Sequence, residues 1–129
     1  EIDKCRPQNI YGKSKLMGEK YVKKLKNYLI IRTRFFSKEK IKYKDAAIDI
    51  YTSMIEVKKL VNKIFILSLS NFTGIINIGG QRKSDYQILK KYKKLKKTTW
   101  REISKKSNVF IAQDSSLNTE RYKKLFAKK

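Results

Sequence analysis

The sequence predicts an α/β fold, and the alternation of two apolar patterns carries that prediction. Residues 28–33 and 74–78 are short, continuous apolar runs rich in β-branched side chains, typical of strands buried in a parallel sheet. Each run follows a stretch in which apolar residues recur every three or four positions, the period of a helix. The element order is therefore helix–strand, helix–strand, helix. Because two strands are too few for a stable open sheet, we expect their neighbours to lie elsewhere.

The first helix is predicted over residues 11–27 and leads into the first strand. Its helical period rests on six apolar side chains: Leu16, Met17, Tyr21, Val22, Leu25 and Tyr28. Lysines occupy the opposite side, so we expect this helix to bury its apolar face. Phe35 and Phe36 follow the strand, and residues 37–49 are polar and lysine-rich, which indicates a loop.

The second helix is predicted over residues 53–68, where Ser53 and Glu56 have the spacing of a capping box. After the strand at 74–78, Ser84 has the position of an N-cap for a third helix over residues 85–95. Beyond that helix, the pattern predicts short strands at residues 100–103 and 109–112, a turn at 114–118 and a final helix at 119–127.

The composition excludes several classes of site. The sequence has no histidine, which excludes a Ser-His-Asp triad, a histidine base and histidine metal ligands. The single cysteine, Cys5, excludes an internal disulfide and a cysteine zinc site, so we expect no metal. No apolar run is long enough to span a bilayer, and the first residues lack the pattern of a signal peptide. We therefore expect a cytoplasmic chain with no membrane partner.

The charge is strongly positive, since 33 Lys and Arg residues against 11 Asp and Glu residues give a net charge of +22. Such a balance raises the hypothesis of nucleic-acid binding. However, 27 of these cations are lysines, spread from Lys4 to Lys129, whereas arginine is favoured for bidentate recognition of bases and phosphates. The lysines therefore indicate solvated helix faces, and nucleic acid is not the expected partner.

One pair of residues, Tyr11 and Lys15, has side chains suited to acid/base chemistry. Tyr11 and Lys15 are four residues apart, which places both side chains on one face of the first helix. An ammonium group near a phenol favours the phenolate, and such a tyrosine can exchange a proton with a carbonyl oxygen during hydride transfer. The same spacing also arises by chance in a lysine-rich chain, as at Tyr86 and Lys90, where it describes only a solvated helix surface.

Several stretches, taken in order, resemble segments of one enzyme family. They are Pro7-x-Asn9-x-Tyr11-Gly12-Lys13-Ser14-Lys15-Leu16-x-Gly18-Glu19, preceded by Glu1 and Asp3; Ile30-Ile31-Arg32-Thr33 with Phe35-Phe36; Tyr51-Thr52-Ser53; Gly74-Ile75-Ile76-Asn77-Ile78-Gly79-Gly80 with Ser84-Asp85-Tyr86; and Asp114-Ser115-Ser116-Leu117-Asn118. The first resembles the active-site helix, and the last a late turn, of the extended short-chain dehydrogenases/reductases. The resemblance is strongest to their dTDP-4-dehydrorhamnose reductase branch and covers nearly the whole chain.

The resemblance implies a fold and a division of the chain. The fold would be the C-terminal part of a Rossmann-like NAD(P)-binding fold with its small substrate-binding region, without the N-terminal glycine-rich half. Residues 1–129 would form a single partial domain. The active-site helix and the following strand would occupy residues 1–36, and the remaining strand, helices and substrate-binding region residues 37–129.

The resemblance also implies roles for individual residues. Tyr11 would be the catalytic acid/base, assisted by Lys15, and both would contact the cofactor, NADP or NAD. Phe35 would lie near the nicotinamide and Phe36 near the substrate. Arg82, with its neighbour Lys83, would meet a phosphate of a nucleotide-sugar substrate, although surface solvation is the simpler explanation for these two cations.

The residues before Tyr11 are too few to hold the glycine-rich turn, or the Ser or Thr that polarises the substrate carbonyl in this family. We therefore expect a fragment of a nucleotide-sugar (4-keto-6-deoxyhexose) reductase that is inactive alone and needs an N-terminal half or a partner chain. Two alternatives stay open: a non-catalytic partner or regulatory subunit on the same scaffold, and a small basic polyanion-binding protein. Unpaired strand edges and the charge of +22 predict marginal stability for the chain by itself.

Overall fold

The computed structural model describes residues 5–126, in which five helices alternate with eight short strands. The helices are α1 (Ile10–Val22), α2 (Val57–Ser68), α3 (Asp85–Leu89), α4 (Trp100–Lys106) and α5 (Glu120–Phe126). The strands are β1 (Leu29–Thr33), β2 (Phe35–Phe36), β3 (Asp45–Ala47), β4 (Tyr51–Thr52), β5 (Ile55–Glu56), β6 (Gly74–Ile78), β7 (Lys83–Ser84) and β8 (Lys96–Thr98). No helix within these residues is long and apolar enough to cross a membrane.

The strands pair two by two, and three of the four pairs are parallel. In the longest pair, β1 and β6, Leu29 lies opposite Gly74 and Thr33 opposite Ile78. β2 pairs with β5 and β3 with β8, both in parallel, whereas β4 and β7 are antiparallel. Parallel strands joined through helices are the α/β arrangement, so the predicted fold class and both predicted strands are confirmed.

Two apolar clusters form the core. In the first, Ile76 and Ile78 of β6 are fully buried and pack with residues of α2 and α5. The second joins residues of β3 and α3 to one residue before β5 and one after α3: Ala46, Met54, Ile88, Leu89 and Leu95. Ile55 belongs to the first cluster and Met54 to the second, so these consecutive residues join the two parts of the core.

α1 packs far less than its apolar pattern predicts. None of its residues is buried, and Met17 and Tyr21, with Leu25 just beyond the helix, are 57%, 62% and 61% exposed. The prediction of a buried face is therefore wrong for the described chain, because no element within residues 5–126 covers that face. A bidentate ion pair holds α1 to β1, with Arg32 donating to the two carboxylate oxygens of Glu19 at 2.8 and 2.6 Å.

A predicted helix cap and a predicted strand are wrong, and hydrogen bonds explain both. Ser53 does not cap α2, because its Oγ accepts a hydrogen bond from the backbone of Leu117 at 2.9 Å. Glu56 caps α2 instead, and its side chain accepts from Lys58 N. Residues 100–103 are helical rather than extended, because Thr99 and Glu102 form a capping box at the start of α4.

The remaining differences concern short elements and helix ends. α1 ends at Val22 and α3 at Leu89, each several residues earlier than predicted, and Ser84 caps α3 as predicted. The expected loop at 37–49 contains a 3₁₀ turn and β3, which pairs with the unpredicted β8. Residues 109–112 form no strand. Residue 127 of the final helix, and Glu1 and Asp3 of the first motif, lie outside the described residues.

Candidate active site

The start of α1 is built by Asn9 and Gly12. The Asn9 side chain accepts a hydrogen bond from Gly12 N at 2.7 Å, which caps the helix. A Cβ on Gly12 would lie 3.0 Å from Pro7 Cβ, so glycine lets the preceding chain pack against the first turn. These contacts fix the first turn of α1 and therefore the position of Tyr11, the second residue of this helix.

Tyr11 and Lys15 lie on the same side of α1, as their spacing predicts. Lys15 Nζ is 5.3 Å from the centre of the Tyr11 ring, a cation–π contact, and Tyr11 is 71% exposed. Ser14 Oγ donates a hydrogen bond to the Tyr11 carbonyl at 2.8 Å. The predicted pair is thus brought together with its phenol accessible, and its catalytic role stays a prediction.

A cavity of about 840 Å³ opens beyond the carboxyl end of β1. Arg34, Phe35 and Phe36, which follow β1 directly, line it together with residues of β3, α3 and the segment after α4. In open α/β sheets, ligands bind outside the carboxyl ends of the strands, and this volume is typical of small-molecule sites. The two phenylalanines predicted to bind ligands therefore share one cavity, whereas Tyr11 and Lys15 lie outside its walls.

Arg34 and Asp85 are charged residues of this cavity that the sequence analysis missed. Arg34 Nη1 donates to Ser115 Oγ at 2.7 Å. Asp85 begins α3, and its Oδ1 is buried without a hydrogen-bond partner. Burial raises the pKa of Asp85, and the positive charge of Arg34 offsets part of this rise. The position of Arg34 directly after a buried strand could have found it, but no sequence signal distinguishes Asp85 from an ordinary first-turn aspartate.

Arg82 is engaged by other side chains of the chain. Its guanidinium forms an ion pair with Asp114 at 2.8 Å and lies 4.0 Å from the centre of the Tyr51 ring. Hydrogen bonds from Ser116, with a smaller contribution from Arg82, lower the pKa of Asp114. Arg82 does not line the large cavity, and Lys83 lines a smaller one of about 160 Å³. A contact of Arg82 with a substrate phosphate stays a prediction.

The glycine pair after β6 packs against the chain's own backbone. A Cβ on Gly79 would lie 2.7 Å from the Ser53 carbonyl oxygen, so only glycine fits there. Gly80 N donates a hydrogen bond to the same oxygen at 2.8 Å. Since Ser53 Oγ also holds Leu117, this junction joins the end of β6 to the segment 114–118 that resembles the family's late turn.

Comparison with solved structures finds the same fold in dTDP-4-dehydrorhamnose reductases. A hypothetical dTDP-4-dehydrorhamnose reductase from Sulfolobus tokodaii is 29% identical, with a TM-score of 0.73 over 98% of this chain and 52% of that chain. The enzyme from Bacillus anthracis, solved in complex with NADP, is 20% identical with a TM-score of 0.78 and the same coverage. The Clostridium acetobutylicum protein is 19% identical with a TM-score of 0.79, again over 98% and 52% of the two chains.

These matches confirm the resemblance and the fold class predicted from the sequence, the C-terminal part of a Rossmann-like α/β fold. No protein-family model and no curated protein matches the chain. The chain spans about half the length of the solved structures that it matches. The match therefore establishes the fold of this chain, and an activity, substrate or partner like those of the whole reductases is a proposal.

Proposed function

We propose that this chain is the substrate-binding half of an NAD(P)-dependent nucleotide-sugar reductase acting on a 4-keto-6-deoxyhexose, inactive until a complementary half joins it. The observation that carries this proposal is the match of 98% of the chain to 52% of a 29% identical protein described as a hypothetical dTDP-4-dehydrorhamnose reductase. The exposed Tyr11–Lys15 pair and the cavity beyond β1 support it, because they offer an acid/base and a place for the substrate.

In this proposal Tyr11 moves the proton. Its phenol donates a proton to the sugar carbonyl oxygen as the carbonyl carbon is reduced, and takes it back in the reverse direction. Lys15, whose ammonium lies 5.3 Å from the ring centre, is the cation that would assist the tyrosine in this role. The bound cofactor supplies the hydride. Phe35 and Phe36 offer the cavity wall that would contact the nicotinamide and the sugar, respectively.

The described residues fit one end of NADP or NAD. The Lys15 ammonium is exposed on the same side of α1 as the Tyr11 phenol, which suits a hydroxyl of the nicotinamide ribose. Pyrophosphate binding needs free backbone N–H groups at a glycine-rich turn. The pair Gly79-Gly80 does not fit that role, because Gly80 N is bonded to Ser53 and Gly79 packs on it. We assign the pyrophosphate to the complementary half.

The surface on which that half would dock is the exposed apolar side of α1, defined by Met17, Tyr21 and Leu25. Beside it, β1 pairs only with β6 among the described strands, which leaves its other edge open. A strand placed along that edge and a helix against α1 would bury both features. The half-length match to the solved reductases indicates what such a partner would be, whether on the same polypeptide or on another.

The proposal is tested by complementation. The N-terminal half of the Sulfolobus tokodaii protein is supplied as a fusion or as a second chain, and NADPH oxidation is followed with a dTDP-4-keto-6-deoxyhexose. We expect turnover only when both halves are present, and loss of turnover in Tyr11→Phe. Tyr86→Phe is the matched control, because Tyr86 also has a lysine four residues on, with Lys90 Nζ 5.6 Å from its ring centre, and lies outside both cavities and the docking surface.

Turnover by this chain alone would overturn its proposed dependence on a second half. A complex that assembles but is inactive in the wild type would remove the catalytic role of Tyr11. That result would favour the alternative, a non-catalytic partner subunit on the same scaffold.

A further inference from the structure

The large cavity beyond β1 is lined by an aspartate with one carboxylate oxygen for which the described chain provides no hydrogen-bond donor. Much of the cavity wall is apolar, with residues such as Met54, Leu89 and Phe110. Asp85 lines this wall, and its Oδ1 is shielded from solvent without a hydrogen-bond partner. A shielded carboxylate oxygen without a donor costs free energy, and buried polar groups are nearly always satisfied. Because the Asp85 side chain lines the cavity, a rotation of its carboxylate would bring this oxygen within reach of a donor on a bound ligand.

The charges around Asp85 suit an anionic ligand. Arg34, Lys40 and Lys106 also line the cavity, and Asp45 is its second carboxylate. Arg34 uses Nη1 to hold Ser115, and the guanidinium has further N–H donors available for a phosphate. A ligand that matches this pattern carries a negative charge for the cations and a hydroxyl donor for Asp85. A nucleotide sugar has both groups.

We propose that Asp85 is a specificity-determining residue that accepts a hydrogen bond from a sugar hydroxyl of the nucleotide sugar, while Arg34 binds the diphosphate. This assignment rests on the proposed function, since it takes the cavity as the substrate site. The hydroxyl replaces the hydrogen bonds that the carboxylate lost on burial. The diphosphate occupies the guanidinium donors that Ser115 leaves free.

The test measures binding of two probes, dTDP-glucose and dTDP, to the purified chain by calorimetry. We expect Asp85→Asn to lower the affinity for dTDP-glucose by about 10-fold or more, the usual scale for a hydrogen bond to a charged group. Asp85→Ala should cost at least as much. Affinity for dTDP, which lacks the hexose, should stay unchanged or rise slightly in both variants because a negative charge is removed. Arg34→Gln should lower the affinity for both probes.

Asp45→Asn is the matched control, because it removes a carboxylate of the same cavity at an exposed position. It should leave the preference for dTDP-glucose intact. The urea midpoint of Asp85→Asn should not fall below that of the wild type, because Asp85 Oδ1 has no donor in the free chain. A lower midpoint together with equal losses for both probes would mean a structural role and overturn the assignment.

The two levels of the proposal fail differently. If both probes bind and Asp85→Asn leaves both affinities unchanged from the wild type, the assigned role of Asp85 is wrong, but the cavity remains the proposed nucleotide-sugar site. If neither probe binds to the wild-type chain, the cavity is not the substrate site, and the proposed function fails together with the role of Asp85.

Discussion

Replacing Gly79 by Ala should destabilise the chain through one contact at the end of β6. The new Cβ would lie 2.7 Å from the Ser53 carbonyl oxygen and 3.0 Å from Ser53 Oγ. The first distance is about 0.7 Å shorter than ordinary van der Waals contact, and the obstacle includes backbone, which cannot swing aside. Gly79 does not have a positive φ, so the close approach alone decides the effect.

The expected magnitude follows from what must move. Forcing an extra methyl into a packed site costs about 1–3 kcal/mol. Ser53 cannot shift without weakening two hydrogen bonds, from Gly80 N at 2.8 Å and Leu117 N at 2.9 Å, each contributing about 1 kcal/mol. Alanine also reduces the entropy of the unfolded chain, which returns about 0.4–1 kcal/mol. The net loss in free energy of unfolding should be about 2–3 kcal/mol.

Urea unfolding followed by the fluorescence of Trp100, the single tryptophan, measures this loss. With a slope of about 1–3 kcal/mol per molar urea, the midpoint should fall by roughly 0.7–3 M. Trimethylamine oxide extends the titration for any variant that is unfolded in buffer. Gly18→Ala is the control: nothing lies within 4 Å of its Cβ position in α1, so the midpoint should stay or rise. Equal midpoints for Gly79→Ala and the wild type would refute the reasoning.

Two further predictions concern α1. Glu19→Gln should lower the free energy of unfolding by about 1 kcal/mol at neutral pH. The Arg32 hydrogen bonds hold the pKa of Glu19 below its ordinary value of about 4.3. The difference in stability between Glu19→Gln and the wild type should therefore disappear as the pH falls through the lowered pKa. A loss of stability that persists in acid would contradict the ion-pair explanation. Met17→Gln combined with Leu25→Gln should change the urea midpoint of the free chain little, since both side chains are exposed, but should weaken binding of the complementary half in a pull-down or calorimetric titration. Unchanged binding would place the docking surface elsewhere.

The sequence predicts those parts of the fold in which local pattern and tertiary packing agree. Residues 28–33 and 74–78 are apolar without interruption and form β1 and β6, whose side chains reach the core. Ser84 is a cap by local chemistry and is used as one. Ser53 has the same local chemistry, but its hydroxyl is taken by Leu117, 64 residues away, and a local pattern cannot reveal that partner. The pair β3–β8 is equally non-local, and each strand has only three residues.

The candidate site likewise contains residues that the sequence predicts and residues that only the tertiary structure reveals. Tyr11 and Lys15 were found because a helix fixes side chains four residues apart, and that relation needs no tertiary information. Phe35 and Phe36 line the cavity because they follow the buried strand β1. Asp85 was missed because its importance depends on its surroundings, in which the described chain leaves its Oδ1 without a hydrogen-bond donor beside a cavity.

If the proposed function holds, the position of the cavity separates substrate binding from catalysis in this chain. The residues of this chain that line it lie between 34 and 115, and none of them belongs to α1. Tyr11, by contrast, lies outside these walls on a helix whose apolar side is exposed. Substrate affinity should therefore survive in the isolated chain, whereas proton transfer needs α1 to be held against the substrate. Because a ligand that binds the assembled site more tightly must also tighten assembly by the same factor, a nucleotide sugar that contacts both halves should strengthen their association. If the complementary half binds equally well with and without dTDP-glucose, the ligand contacts this half alone, and Tyr11 must reach the sugar without help from assembly.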